Sequence, residues 1–277
     1  MTWEEAVEWL KSQPDKQYLV EAAYYDEPAA EAAKRFASGG EWREVARILT
    51  PWMPGKVLDL GAGNGISSYA FARSGCIVTA LEPDHSFKVG GGAIKTLAGE
   101  TKSRIEVVQG YGEELPFKDG TFDIAYGRQV LHHAEDLRAV CREAARVLRS
   151  GGGFLATREH VISRKEDLPR FLESHPLQAL YGGENAFLLD EYTEAIKASG
   201  FAIDSVFGPH QSPINYFPMT KNEKEEEIRR LISRLTGSFM ARIICGPAAA
   251  RKGLFRLLTR VDNTPGRLYT FLARKII

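Results

Sequence analysis

A chain of 277 residues, 44% hydrophobic and 26% charged, is long enough to bury a sizeable core and short enough to form one elaborated domain or two. Its 36 Lys and Arg balance 36 Asp and Glu, which argues against electrostatic capture of nucleic acid; yet residues from Lys221 onward carry 13 basic against 5 acidic side chains, a local +8 offset by −8 over residues 1–220. No apolar run approaches the roughly 20 residues of a membrane span and no secretory signal pattern opens the chain, so a soluble cytoplasmic protein is expected.

Residues 1–50 read as a helical cap. Thr2 followed by Glu5 has the spacing of a capping box, EPAAEAAKRFASGG ends on a glycine pair, and EWREVARIL repeats Trp42, Val45, Ile48 and Leu49 at helical spacing. From Lys56 the pattern alternates. KVLDL is a short buried strand, GISSYAFARSG a helix closed by Gly75, and CIVTALEP a second strand; a helix within 84–99, the strands RIEVVQG and TFDIAYG, the helix DLRAVCREAARVLRSGG and the strand GFLATREH follow. Such alternation predicts a doubly wound α/β fold with a mainly parallel sheet.

About 30 residues after Glu159 lack strand character, a length that marks a functional loop or lid. DEYTEAIKASG then reads as a helix capped by Asp190 and ended by Gly200, and FAIDSVFG as a strand. Two helical patterns, KNEKEEEIRRLISRLTG and RKGLFRLLTRV, interrupt the sheet over 209–266 before a last strand, GRLYTFLARKI. The expected organisation is a cap over 1–50, a core over 51–208 and 267–277 with a lid loop at 160–189, and a helical insertion or lid at 209–266. Both interruptions leave parallel strands at their carboxyl ends, so they are expected to form one cover.

Between the first two strands, Gly61, Gly63 and Gly65 allow a tight turn and close approach to a ligand, and the helix from Ile66 offers free N–H groups. The spacing is GxGxG, one residue short of the GxGxxG of a dinucleotide site. The second strand ends at Glu82, about 20 residues on, where a carboxylate can accept both hydroxyls of a ribose. Ribose without a pyrophosphate site suggests a nucleoside.

VLDLGAGNG, ALEPD, LPFKDGTFDIAYGRQVLHH and REAARVLRSGGGFLATRE, over Lys56 to Glu159, together resemble the class I S-adenosylmethionine-dependent methyltransferases of the small-molecule, type 11 kind. The resemblance implies a seven-stranded Rossmann-like sheet with an antiparallel last strand. It implies that Gly61, Ala62 and Gly63 lie under the amino-acid part of S-adenosylmethionine, that Glu82 and Pro83 face the ribose, and that Asp59 orders the turn. Where the family commonly reads GDAEALPF this chain reads GYGEELPF; Tyr111 then bonds or stacks on adenine beside Gly112, or Glu113 substitutes for the missing acid.

The transferring methyl is expected near the ends of the first and fourth strands. That places Arg128, Gln129, His132 and His133 after the fourth strand, and Arg158, Glu159 and His160 after the fifth, around the reaction centre. Arg128, Gln129 and His133 are assigned to the cofactor, and His132, Glu159 and His160 to catalysis; packing or cofactor-loop roles for the histidines compete with a base role. No HxH or HExxH spacing marks a metal, and Cys76, Cys141 and Cys245 form neither a disulfide framework nor a CxxC pair. YGGENAF (181–187) and SPINYFP (212–218) have the residue types of polar pockets, and Tyr24, Tyr25 and Asp26 either close over the cofactor or end a helix. The basic helix Leu254 to Val261 docks within the lid, touches a membrane surface or meets an anionic substrate, with docking favoured. The expected partner is a small or glycan-like methyl acceptor, with oxygen the favoured atom and nitrogen or carbon the alternatives; a nicotinamide oxidoreductase and a cofactor-binding regulatory protein are the rival readings.

Overall fold

The computed structural model describes residues 1–276; Ile277, the end of the last expected strand, lies outside the described residues. Strands β1 (Lys56–Leu60), β2 (Ile77–Leu81), β3 (Ile105–Val108), β4 (Phe122–Arg128), β5 (Leu148–Ile162), β6 (Phe187–Leu188), β7 (Phe201–Phe207) and β8 (Arg267–Lys275) form one mixed sheet. Its order is β3-β2-β1-β4-β5-β8-β7, with the two-residue β6 joined to the tip of β5. β8 is antiparallel to both its neighbours and the other pairings are parallel. The chain builds outward from β1 to β3, then returns to start β4 on the other side of β1, so a crevice opens above the carboxyl ends of β1 and β4.

β1 and β2 are buried on both faces after their first residue, as expected of strands covered by helices on each side. Helix Leu137–Val147 buries Val140, Cys141 and Ala144 on one face of the sheet, and helix Ile66–Arg73 buries Tyr69, Ala70 and Phe71 on the other. The cap packs on this second face: helices Ala29–Ser38 and Gly40–Leu49 bring Phe36, Trp42, Val45 and Leu49 against Phe71, and Phe71 meets Tyr126 of β4 edge to face. The capping box at Thr2 and Glu5 forms as the spacing predicts.

Four local differences stand out, the first two with identifiable causes. The helix after β2 runs from Gly91 to Thr101, because Asp84 accepts the Ser86 N–H through its side chain and the Gly91 N–H through its carbonyl, folding 84–90 as turns. Asp190 lies inside its helix rather than at the cap: Glu191 accepts the Leu188 N–H, so the helix starts at Leu189. The stretch after β5 contains helices Leu168–Ser174 and Gln178–Tyr181. A further helix, Ser238–Cys245, separates Lys221–Thr236 from Ala248–Val261.

Helix Ala248–Val261 buries none of its residues fully, and Leu235, Phe239, Leu257 and Val261 face solvent. Its docking is therefore partial. No helix among the described residues is long and apolar enough to cross a membrane.

Candidate functional site

The turn after β1 is tied down from three sides. Asp59, buried at the end of β1, accepts from the hydroxyls of Ser67 (2.7 Å) and Ser68 (2.6 Å), fastening the strand to the first turn of the following helix. Burial pushes its carboxyl up to about 6, although those bonds favour the ionised form. Glu82 accepts the Gly63 N–H (2.7 Å) on one oxygen and the Asp84 N–H (3.0 Å) on the other. Asn64 donates to the Tyr24 carbonyl (2.8 Å) and so docks the cap onto the turn.

Gly61 and Gly63 occupy the left-handed region at φ 55° and 56° for different reasons. A Cβ on Gly61 would stand 2.8 Å from a Val130 methyl, whereas one on Gly63 would project into open space. Gly61 is thus small because the protein packs on it, and Gly63 leaves a cradle. Glu82 is buried, which pushes its carboxyl up to about 7 despite the two backbone donors.

At the ends of β4 and β5 the backbone departs from regular strand. Gln129 and Arg158 have φ of 58° and 60°, and the β5–β8 register shifts between Ala156 and Glu159, a bulge that redirects the following side chains. Arg128 is held by a bidentate ion pair with the fully buried Glu41 of the cap, at 2.8 and 3.2 Å. Burial alone draws its guanidinium down, but the Glu41 charge more than offsets this and holds it above its ordinary value. Arg158 donates instead to the carbonyls of Ile214 (2.7 Å) and Phe217 (3.3 Å), and its buried Nε has no partner among the described residues. Burial, with Arg128 nearby, draws it down to about 10.

Glu159 is fully buried and accepts from the backbone N–H groups of Val130 and His132 (3.1 Å each) and from His132 Nδ1 (2.7 Å). It therefore holds the turn Leu131–His133 and orients the His132 ring. Burial pushes its carboxyl up to about 6. His160 Nδ1 lies 2.8 Å from the Gly266 carbonyl, and its Nε2 has no partner among the described residues. A carbonyl and a carboxylate both require a donor, so each ring carries its proton on Nδ1 and turns an Nε2 lone pair toward the other side. Burial holds His132 well below its ordinary value and His160 down to about 3, so both imidazoles are neutral.

A cavity of about 480 Å³, within the size range of small-molecule sites, joins these two regions. Gly61, Ala62, Gly63, Glu82 and Pro83 are among its lining, together with Arg128, Gln129, His132, His133, Arg158 and His160. The cap covers it with Trp3, Leu10 and Tyr25, and the 160–189 segment with His175, Tyr181 and Glu184. Asp59 and Glu159 are not part of this lining but hydrogen-bond to Ser67 and His132, which are. The lining contains no residue from 210 onward; the 209–266 insertion reaches the site only from behind, through the Ile214, Phe217 and Gly266 carbonyls. The lining thus draws on the cap and 160–189, and the expected pairing of 160–189 with 209–266 is not seen in it.

Three expected cofactor residues lie apart from the cavity. Tyr111 is 70% exposed, Glu113 accepts the Glu135 N–H, and Gly112 faces Val140. Conversely, Glu41 and Glu184 were not singled out by spacing. Glu184 falls within YGGENAF, a stretch with pocket-lining composition, but Glu41 sits at the start of a helix whose apolar periodicity masks it.

Residues 58–156 match the family model described as a methyltransferase domain. The chain is 36% identical over 133 residues to a sarcosine/dimethylglycine N-methyltransferase of Halorhodospira halochloris, covering 48% of this chain and 46% of that protein. It is 27% identical over 195 residues to the O-methyltransferase resE of Aspergillus sclerotiorum, covering 67% and 69%. Apart from such longer matches, the chain spans about half the length of the curated relatives it matches. Among solved structures, an S-adenosylmethionine dependent methyltransferase from Mesorhizobium loti superposes with a TM-score of 0.55 at 18% identity, over 87% of this chain and all of that one. The glycine turn, the acid ending β2, the sheet order and the matched segment together give residues 58–156 the likeness of a methyltransferase domain.

Proposed function

We propose that this protein transfers a methyl group from S-adenosylmethionine to a hydroxyl oxygen of a small polar acceptor. The observation that carries the reading is that one cavity joins a nucleoside-type cradle to a cluster of hydrogen-bond acceptors. The residues present fit the cofactor. Gly63 leaves space beside the turn, and Glu82, with one backbone donor on each oxygen, retains lone pairs for two ribose hydroxyls. The unpartnered Nε of Arg158 suits a carboxylate such as that of the methionine part.

Held by the glycine turn and Glu82, S-adenosylmethionine would supply the methyl group, and the proton of the acceptor hydroxyl would pass to a lone pair of His132 Nε2, His160 Nε2 or the Glu184 carboxylate. The protein's part is to position the reactants and exclude water. His132 and His160 offer neutral Nε2 lone pairs and Glu184 a carboxylate, an all-acceptor set suited to a hydroxyl that donates. Glu159 acts as a positioning residue for His132, while Gln129 and His133 complete the wall between the cofactor and acceptor regions. The kinship with an N-methyltransferase favours an amine acceptor as the second reading, because the same carboxylate would receive its charge.

Calorimetric titration tests the cofactor half. S-adenosylmethionine and its demethylated product should bind, nicotinamide dinucleotides should not, and Glu82→Ala should weaken binding by about 2–3 kcal/mol through loss of two charge-assisted hydrogen bonds. Equal binding of both cofactor types, or unchanged affinity in Glu82→Ala, would overturn it. Transfer of a labelled methyl to hydroxylated rather than amine-bearing metabolites separates the two acceptor readings.

A further inference from the structure

At the end of the cavity away from the glycine turn, three groups that can only accept hydrogen bonds face one another. His132 Nε2 lies 3.8 Å from a Glu184 carboxylate oxygen, and these two atoms and His160 Nε2 all lie within 4.8 Å of one another. Both imidazoles have their Nδ1–H committed elsewhere, to the Glu159 carboxylate and the Gly266 carbonyl. His160 is more than nine-tenths buried and its Nε2 is unpartnered among the described residues. Two converging lone pairs and a carboxylate, with no donor between them, form a site of negative potential that a cation would satisfy.

We propose that His132 Nε2, His160 Nε2 and the Glu184 carboxylate bind one divalent first-row transition-metal ion, leaving its cavity-facing positions for the methyl acceptor. Two imidazoles and one carboxylate are the donor set of open, catalytic zinc and non-haem iron sites, and imidazole favours such ions over magnesium or calcium. The outer partners are also those of metal sites: a carboxylate on one histidine and a backbone carbonyl on the other. Tyr181 donates its hydroxyl to the second oxygen of Glu184, and His175 Nδ1 stands 3.6 Å from that oxygen. Ligand atoms about 2.0–2.2 Å from a shared ion stand roughly 3.0–3.5 Å apart, so the three must close by about 1 Å. Resting on the methyl-transfer reading, the ion would take the acceptor oxygen as a ligand in place of a hydrogen bond to these groups and lower the pKa of its hydroxyl, whose proton would leave to solvent before the cavity closes.

The test uses untagged, full-length protein freed of metal by chelator dialysis and titrated with Co²⁺ under anaerobic conditions. The expected result is one equivalent bound, visible d–d absorption, and displacement of the Co²⁺ by Zn²⁺. Glu184→Gln and His160→Ala should each weaken Co²⁺ binding by at least about tenfold, as should Glu159→Gln through the orientation of His132. Circular dichroism and thermal melting establish that each variant folds. If His160→Ala does not, the near-isosteric Glu184→Gln decides alone. Failure to bind one equivalent of Co²⁺, or equal affinity in wild type and Glu184→Gln, would overturn the proposal. Calorimetry of the demethylated cofactor with the same metal-free protein keeps the two readings apart. Cofactor binding without metal binding removes only the metal site, and metal binding without cofactor binding removes the methyl-transfer reading.

Discussion

Gly61→Ala and Gly63→Ala make a matched pair, because both residues hold nearly the same left-handed backbone but face different neighbours. Adding a Cβ in that region costs roughly 1–2 kcal/mol at either position. At Gly61 the new methyl also stands 2.8 Å from a Val130 methyl, and overpacking adds about 1–3 kcal/mol, so the total is about 2–5 kcal/mol. At Gly63 nothing lies within 4 Å, so only the backbone strain applies. With about 2–4 °C of Tm per kcal/mol in proteins somewhat smaller than this one, Gly63→Ala should melt a few degrees low and Gly61→Ala substantially lower. Cofactor affinity should follow a different order. The Gly63 methyl occupies the cradle, so Gly63→Ala should bind the demethylated cofactor at least about tenfold more weakly for its small loss of stability, an effect of about 1.4 kcal/mol. Differential scanning fluorimetry and calorimetry measure the two quantities on the same samples. A Gly63→Ala protein with wild-type cofactor affinity would refute the assignment of the cradle.

Three further outcomes are expected. Glu41→Gln strips the buried partner from Arg128 and should cost about 3–5 kcal/mol by urea denaturation, whereas replacing both residues by Met should recover much of that loss; a cost under about 1 kcal/mol would show the pair to be solvated. Glu82 has a folded-state carboxyl value of about 7 against 4.5 unfolded, so its stability contribution is complete below pH 4.5 and is lost as pH rises through 7. Ribose hydroxyls favour the ionised carboxylate, so cofactor affinity should rise from pH 5.5 to 8 in wild type and lose that component in Glu82→Gln; equal pH profiles would contradict it. Tyr111→Ala should leave cofactor affinity within about twofold, since its ring is 70% exposed outside the cavity lining, and a tenfold loss by calorimetry would return Tyr111 to the adenine site.

The frame of this site was legible because local rules write it. The strand and helix periods, the turn at Gly61 to Gly65 and the acid about 20 residues later are short-range patterns, and the fold places them as those patterns require. The chemistry at the far end depends on contacts that no spacing encodes. Glu41 meets Arg128 across 87 residues, His160 finds its acceptor at Gly266 across 106, and Glu184 joins the histidines from a segment whose own sequence signals only loop. Metal-site spacing rules presuppose ligands on one helix or turn, and here the three groups come from a turn after β4, from β5 and from the covering segment. At Tyr111 the motif position holds a side chain that is 70% exposed and outside the cavity lining.

The central claim is that one cavity holds the cofactor between the glycine turn and Glu82, with its reactive end toward His132, His160 and Glu184. A crystal structure with the demethylated cofactor tests it most directly. The account predicts both ribose hydroxyls on the Glu82 carboxylate, the amino-acid part against Gly61 and Gly63, and the sulfur directed at the histidine pair. Ribose bound away from Glu82, or a sulfur directed away from His132 and His160, would contradict it.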